Sequence, residues 1–135
     1  MSTSHRTVAL VGLAVVLATA AVAVFWYLPP ASRTSGGPLT GREVRALVAG
    51  NTIKGPKFSE YYDPDGSIRG REIEDTDEEY LGSWHVDGDQ LCVAFPSHNY
   101  TSCVAITPEE GGAYDFADEG RHSKRTIAAG NPGKL

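Results

Sequence analysis

The run Gly82-Ser-Trp-His-Val-Asp-Gly-Asp-Gln-Leu-Cys-Val-Ala-Phe-Pro-Ser-His-Asn-Tyr-Thr-Ser-Cys-Val-Ala-Ile106 decides the fold. It reads as three antiparallel strands. Asp87-Gly88 supplies the positive-φ residues of a tight hairpin, and Pro96 to Asn99 has the composition of a four-residue loop between apolar, β-branched and aromatic runs. If Phe95 stands opposite Tyr100, Val93 faces Ser102 and Leu91 faces Val104. The two cysteines of the chain, Cys92 and Cys103, then lie directly opposite each other on the other face, which suits a cross-strand disulfide. A bridge closing so short a loop is worth about 3 kcal/mol and points to an oxidising compartment.

Working outward, Trp84, Leu91, Val93, Phe95, Val104, Ile106, Tyr114 and Phe116 keep to one face of successive strands and are the expected core. Further strands are expected at 51–53, 58–62, 67–73 and 121–128. Asp63-Pro64-Asp65-Gly66 supplies a type I turn between two of them. Ahead of the strands, Thr40 as N-cap with Glu43 three residues on makes a capping box. Leu39 and Val44 form a hydrophobic staple, and Val44, Leu47 and Val48 share one apolar face. The expected fold is mainly β: an antiparallel meander of six to eight strands forming a small or partly open barrel. One short N-terminal amphipathic helix caps an end, and a single transmembrane helix precedes the whole. The expected core is barely long enough to fill such a barrel, so a ligand cavity is the alternative rather than the leading expectation.

Residues 8–28 form 21 consecutive residues without charge, about 31 Å as a helix, which matches a bilayer core. Phe25, Trp26 and Tyr27 at its far end are the amphipathic rings expected at a membrane interface, and Pro29-Pro30 stops the helix. The chain therefore divides into a tail at 1–7, a transmembrane signal anchor at 8–28, a flexible linker at 29–38 and a β-rich domain at 39–135. A cleavable signal peptide is the competing reading, because Ala18-Thr19-Ala20 offers a small-residue cleavage pattern. Arg6 precedes the span, whereas Arg33, Arg42 and Arg45 follow it, so basic residues alone do not assign the domain to the outer side. The expected disulfide does.

Charge is unevenly placed. Residues 58–119 hold 16 acidic and 2 basic residues, net −14, within a chain whose formal charge is −5. Such a middle excludes nucleic acid, which needs a basic face, and suits a protein partner with a basic surface. Glu72, Glu74, Asp75, Asp77, Glu78 and Glu79 crowd into eight residues, an exposed loop and the candidate partner surface. No metal site is expected: the cysteines lack C-x-x-C spacing, and Gly66 comes too early after Asp63 for a calcium loop. His85, His98 and His122 are the available bases at neutral pH, but no nucleophile-base-acid order stands out. No enzyme and no cofactor are expected.

The order Leu-Thr-Gly at 39–41, Gly-Asn-Thr at 50–52, Tyr-Tyr-x-Pro-Asp-Gly at 61–66, Gly-x-Trp-x-Val at 82–86, the Leu-Cys and Ser-Cys pair, and Gly-Asn-Pro at 130–132 resembles a family of small exported or membrane-anchored bacterial proteins, a domain of unknown function. The resemblance implies a secreted or anchored β-meander with a short leading helix and a central disulfide, and implies no activity. The functional expectation is a non-catalytic interaction or accessory module, an accessory subunit of a membrane complex. It would be held single-pass in the bacterial inner membrane with its C-terminal domain in the periplasm. The alternatives are a small-ligand-binding barrel carrier and an inhibitor-like plug using the Pro96 to Asn99 loop, either of them secreted if the leader is cleaved.

Overall fold

Thr40 starts the first element of the domain as the capping box requires: Glu43 Oε2 accepts from both the backbone N–H and the hydroxyl of Thr40, each at 2.8 Å. In the computed structural model, which describes residues 36–73 and 77–135, the helix α1 spans Gly41–Val48. The expected span at 8–28, its rings Phe25, Trp26 and Tyr27, and the acidic residues Glu74 and Asp75 lie outside the described residues. Eight residues are too few for a helix that is stable alone, so α1 depends on packing. Val44 and Val48 are fully buried, and the Arg45 guanidinium lies 5.4 Å from the centre of the Trp84 ring. Among the described residues no helix is long and apolar enough to cross a membrane.

Eight strands follow: β1 Asn51–Lys54, β2 Phe58–Tyr62, β3 Ser67–Glu72, β4 Glu79–Asp87, β5 Gln90–Phe95, β6 Tyr100–Pro108, β7 Ala113–Asp118 and β8 Arg121–Ala129. Each pairs antiparallel with the next, and β1 pairs with β8, from Asn51 opposite Ala129 to Lys54 opposite Thr126. The barrel is closed, not partly open, and so it leaves no unpaired strand edge. Hydrogen bonds beyond the ladder reinforce this seam: Thr52 Oγ1 donates to the Gly130 carbonyl at 2.7 Å, and Gly130 N donates to Asn51 Oδ1 at 3.0 Å.

The β5–β6 register is the expected one, with Phe95 opposite Tyr100, Leu91 opposite Val104 and Cys92 opposite Cys103. Cys92 and Cys103 are joined on the outer wall. The β4–β5 turn differs from expectation by one residue. Asp87 pairs with Gln90, so Gly88 and Asp89 form the two-residue loop, and Gly88 takes the positive φ of +57° at its first position. Helix α1 sits on this turn: Gly41 N donates to Asp89 Oδ1 at 2.8 Å, and Leu39 N donates to the Ile106 carbonyl at 2.8 Å. The acidic run is also trimmed at both ends, because Glu72 closes β3 and Glu79 opens β4, where Arg71 grips it at 2.6 Å.

Of the expected core, Trp84, Leu91, Phe95, Val104, Ile106 and Phe116 are buried, while Val93 and Tyr114 are only partly so. Ile53, Tyr62 and Ile68 from the first three strands join them. Trp84 is fixed at both polar ends, its indole N–H donating to the Asp63 carbonyl and its backbone N–H to the Gly66 carbonyl, each at 2.8 Å. Val44 and Val48 of α1 belong to the same core, and Tyr62, Leu91, Phe95 and Val104 reach from it toward the part that is less filled.

Candidate ligand-binding site

A cavity of about 370 Å³ occupies the half of the barrel away from α1. Its walls are Phe58, Tyr62, Tyr80, Leu91, Val93, Phe95 and Val104. Glu72, His98 and Tyr100 belong to the strand ends and turn opposite the helix, and Glu60, Ser102 and Arg125 are its inward polar groups. The expected core, barely long enough to fill a barrel, leaves part of this one unfilled, and the cavity that stood as the alternative is present. Two inward positions carry no side chain, Gly70 and Gly82, and three others, Glu60, Ser102 and Arg125, carry polar ends.

Strand register builds the floor of this cavity. Ile53, Glu60, Gly70 and Tyr80 stand side by side across β1 to β4. With no side chain at Gly70, the Tyr80 ring lies over that position: a Cβ there would collide with the ring. The Tyr80 hydroxyl thereby reaches across the strand and donates to Glu60 Oε1 at 2.7 Å. From the other side, Tyr62 donates to Glu60 Oε2 at 2.8 Å. The same device recurs at Gly82, where an added Cβ would meet the Phe95 ring at 2.5 Å. An aromatic side chain covering a strand glycine lets the sheet bend sharply there.

Glu60 is only 6% exposed. Burial raises its pKa above the ordinary carboxylate value, because the charged form loses water, while the two tyrosine hydroxyls and the positive charge of Arg125 pull the other way. Burial, together with the adjacent Glu60 charge, raises the phenols of Tyr62 and Tyr80 well above their usual range. Both therefore remain protonated donors across the physiological range.

Arg125, half-buried on β8, points its guanidinium over the rings of Phe116 and Phe58, at 4.6 Å and 5.0 Å from their centres. Its Nε donates to Ser123 Oγ at 3.3 Å, and no carboxylate among the described residues pairs with it. Glu60 and Arg125 thus face one cavity without an ion pair between them. Toward the open end, Tyr80 meets Phe95 and His98 edge-on with ring centres 5.4 and 5.2 Å apart, and Phe95 stacks with Tyr100 at 6.3 Å.

The residues singled out from sequence fall in several places. Cys92 and Cys103 are on the outer wall. Of the acidic run, Glu72 lines the cavity, Glu79 is engaged by Arg71, and Asp77 and Glu78 are exposed. The histidines do not converge: His85 stands opposite Cys92 on the outer face, His98 is in the β5–β6 turn, and His122 contacts Asp115 at 2.7 Å on the surface. Glu60, Tyr80 and Arg125 were missed. The signal for Glu60 was available, since it alternates inward between Phe58 and Tyr62, whereas nothing local in the sequence brings Arg125 to the same cavity. No family model, no curated protein and no solved structure matches this chain.

Proposed function

We propose that this domain is a non-catalytic binding protein for a small organic molecule, held inside the barrel at the end opposite α1. One observation carries the reading: a cavity of about 370 Å³ with aromatic walls and a few fixed polar groups, Glu60 and Arg125 foremost. That volume and that mixture are typical of small-molecule sites. In the same reading the apolar run at 8–28 tethers the domain to a bacterial inner membrane on its periplasmic side, where the Cys92–Cys103 bridge is stable. Native mass spectrometry of the full-length chain, purified in detergent from its own membrane, tests the proposal. The expected result is an added mass of a small molecule that is lost from Val93→Trp, whose indole fills the cavity. An added mass that persists in Val93→Trp, or a clean unliganded mass in the unaltered chain, overturns it.

A second role, docking of a basic protein on the acidic connection, is favoured by the exposure of Asp77 and Glu78 beside Leu81, which is 69% exposed. In this reading the domain is the accessory subunit of a membrane complex. Asp77→Lys with Glu78→Lys is then expected to abolish salt-sensitive co-purification of that complex, and unchanged recovery excludes the role.

A further inference from the structure

We infer that the cavity takes a small zwitterion with an apolar or aromatic body, its carboxylate on Arg125 and its ammonium on Glu60. The inference rests on the ligand-binding reading above and names the class of ligand. Its basis is an imbalance within the cavity. A carboxylate offers about four acceptor positions, and Tyr62 and Tyr80 take two of those on Glu60. A guanidinium carries about five N–H donors in a fork matched to carboxylate, and Ser123 takes one of those on Arg125. The two groups are near enough for Arg125 to favour the ionised form of Glu60, yet no ion pair joins them.

Two opposite charges facing one partly desolvated space attract a molecule that carries both complements. A lone anion on Arg125 would meet the field of Glu60 and of Glu72 as well. A lone cation on Glu60 would meet Arg125, whose charge already lies against the faces of Phe58 and Phe116. A zwitterion gives Glu60 and Arg125 each a partner of opposite charge and adds no net charge to the cavity. Phe58, Tyr80 and Phe95 then provide the surface for its body. Tyr62 and Tyr80 hold the Glu60 carboxylate in place, so this end of the site is organised before the ligand arrives.

The test uses four probes that share one body: phenylalanine, 2-phenylethylamine, 3-phenylpropionate and 2-phenylethanol. They are titrated into the full-length chain while the backbone amide resonances of Tyr80, Val93 and Arg125 are followed. Phenylalanine is expected to bind at least tenfold tighter than each of the others. Arg125→Gln should reduce it to the level of the amine, and Glu60→Gln to the level of the carboxylate. The ranking of the four probes on the unaltered chain stands even if a variant fails to fold. Equal or tighter binding of either singly charged probe, or of the alcohol, overturns the zwitterion and leaves the ligand-binding reading standing. If none of the four moves those resonances, the zwitterion is overturned, and the native mass measured above decides the ligand-binding reading by itself.

Discussion

The Tyr80 hydroxyl donates to Glu60 at 2.7 Å from two strands away, over the empty side-chain position of Gly70. A glycine in the middle of a strand normally weakens it, and here the ring of the neighbouring strand takes up the vacated space. Gly70→Ala displaces the far end of the Tyr80 side chain rather than backbone. The chain can relax by swinging the ring outward, at the cost of the bond to buried Glu60, about 1–3 kcal/mol. In a Tyr80→Ala background the same Gly70→Ala change should be neutral or stabilising, since the obstacle is gone and alanine is the better strand residue. Urea denaturation of the four proteins measures the coupling, and additive losses would show that ring and glycine act independently.

Glu60 sets an unusual pH dependence. Its folded pKa is raised by burial above the ordinary carboxylate value it regains on unfolding. The folded state therefore holds the proton more tightly than the unfolded one. Stability from this group is fully present below the unfolded value and is lost as pH rises through the folded one, with a slope of at most about 1.4 kcal/mol per pH unit. Glu60→Gln, which cannot ionise, should remove that component. The stability difference between the parent chain and Glu60→Gln should shift in favour of the variant as pH is raised from about 4 to 8. A difference that stays flat over that range excludes a raised folded pKa.

Helix α1 covers one end of the barrel through a contact that tolerates no side chain. A Cβ on Gly41 would run into the carbonyl of Gly88, and that obstacle is backbone that cannot swing aside. Gly41→Ala should lift the helix from the β4–β5 turn, expose Val44 and Val48, and destabilise the domain by roughly 2–4 kcal/mol. Thr40→Ala, which removes only a hydroxyl at the helix start, should cost about 1 kcal/mol. Comparable losses from the two substitutions would mean that the helix end, and not its seat on Gly88, governs the packing.

Sequence reached the helix, the β-meander and the β5–β6 register because each has a local cause: a capping box, turn residues at fixed spacing, and apolar alternation through Leu91, Phe95, Val104 and Ile106. It reached the cavity only as an alternative, and it did not reach the polar groups that line it. Glu60, Gly70 and Tyr80 lie ten residues apart in sequence and become neighbours only once three strands are in register. Arg125 joins them only because β8 returns to β1. Closure itself depends on that last pairing, and the four residues of β1 advertise it weakly. The expected core named apolar residues alone and gave no part to Gly70 and Gly82, whose missing side chains make room for the Tyr80 and Phe95 rings.

The apolar run at 8–28 makes a separate prediction, that the mature chain keeps it. Intact-mass measurement on protein from its native membrane should return a mass that includes residues 8–28. A mature N-terminus between 21 and 32 would instead mean a soluble exported barrel, and the proposed function would then be that of a free carrier.

Cys92 and Cys103 are bonded across the outer wall with their Cα atoms 4.0 Å apart, and Cys92 is only 3% exposed. Their separation of 11 residues in sequence closes a short loop, so the bridge restricts the unfolded chain by an amount worth about 3 kcal/mol. Reduction should lower stability by roughly 2–4 kcal/mol without unfolding the domain, because the register is also held by Phe95 against Tyr100 and Leu91 against Val104. Cys92→Ala should cost about as much as reduction. Adding Cys103→Ala should cost hardly more, because one bond is lost in every case. The cavity walls Leu91 and Val93 flank Cys92 on the opposite face, so reduction should also loosen the strand that lines the ligand site. Ligand affinity measured with and without reductant reports this coupling. Unchanged affinity beside a full stability loss would confine the bridge to the unfolded state.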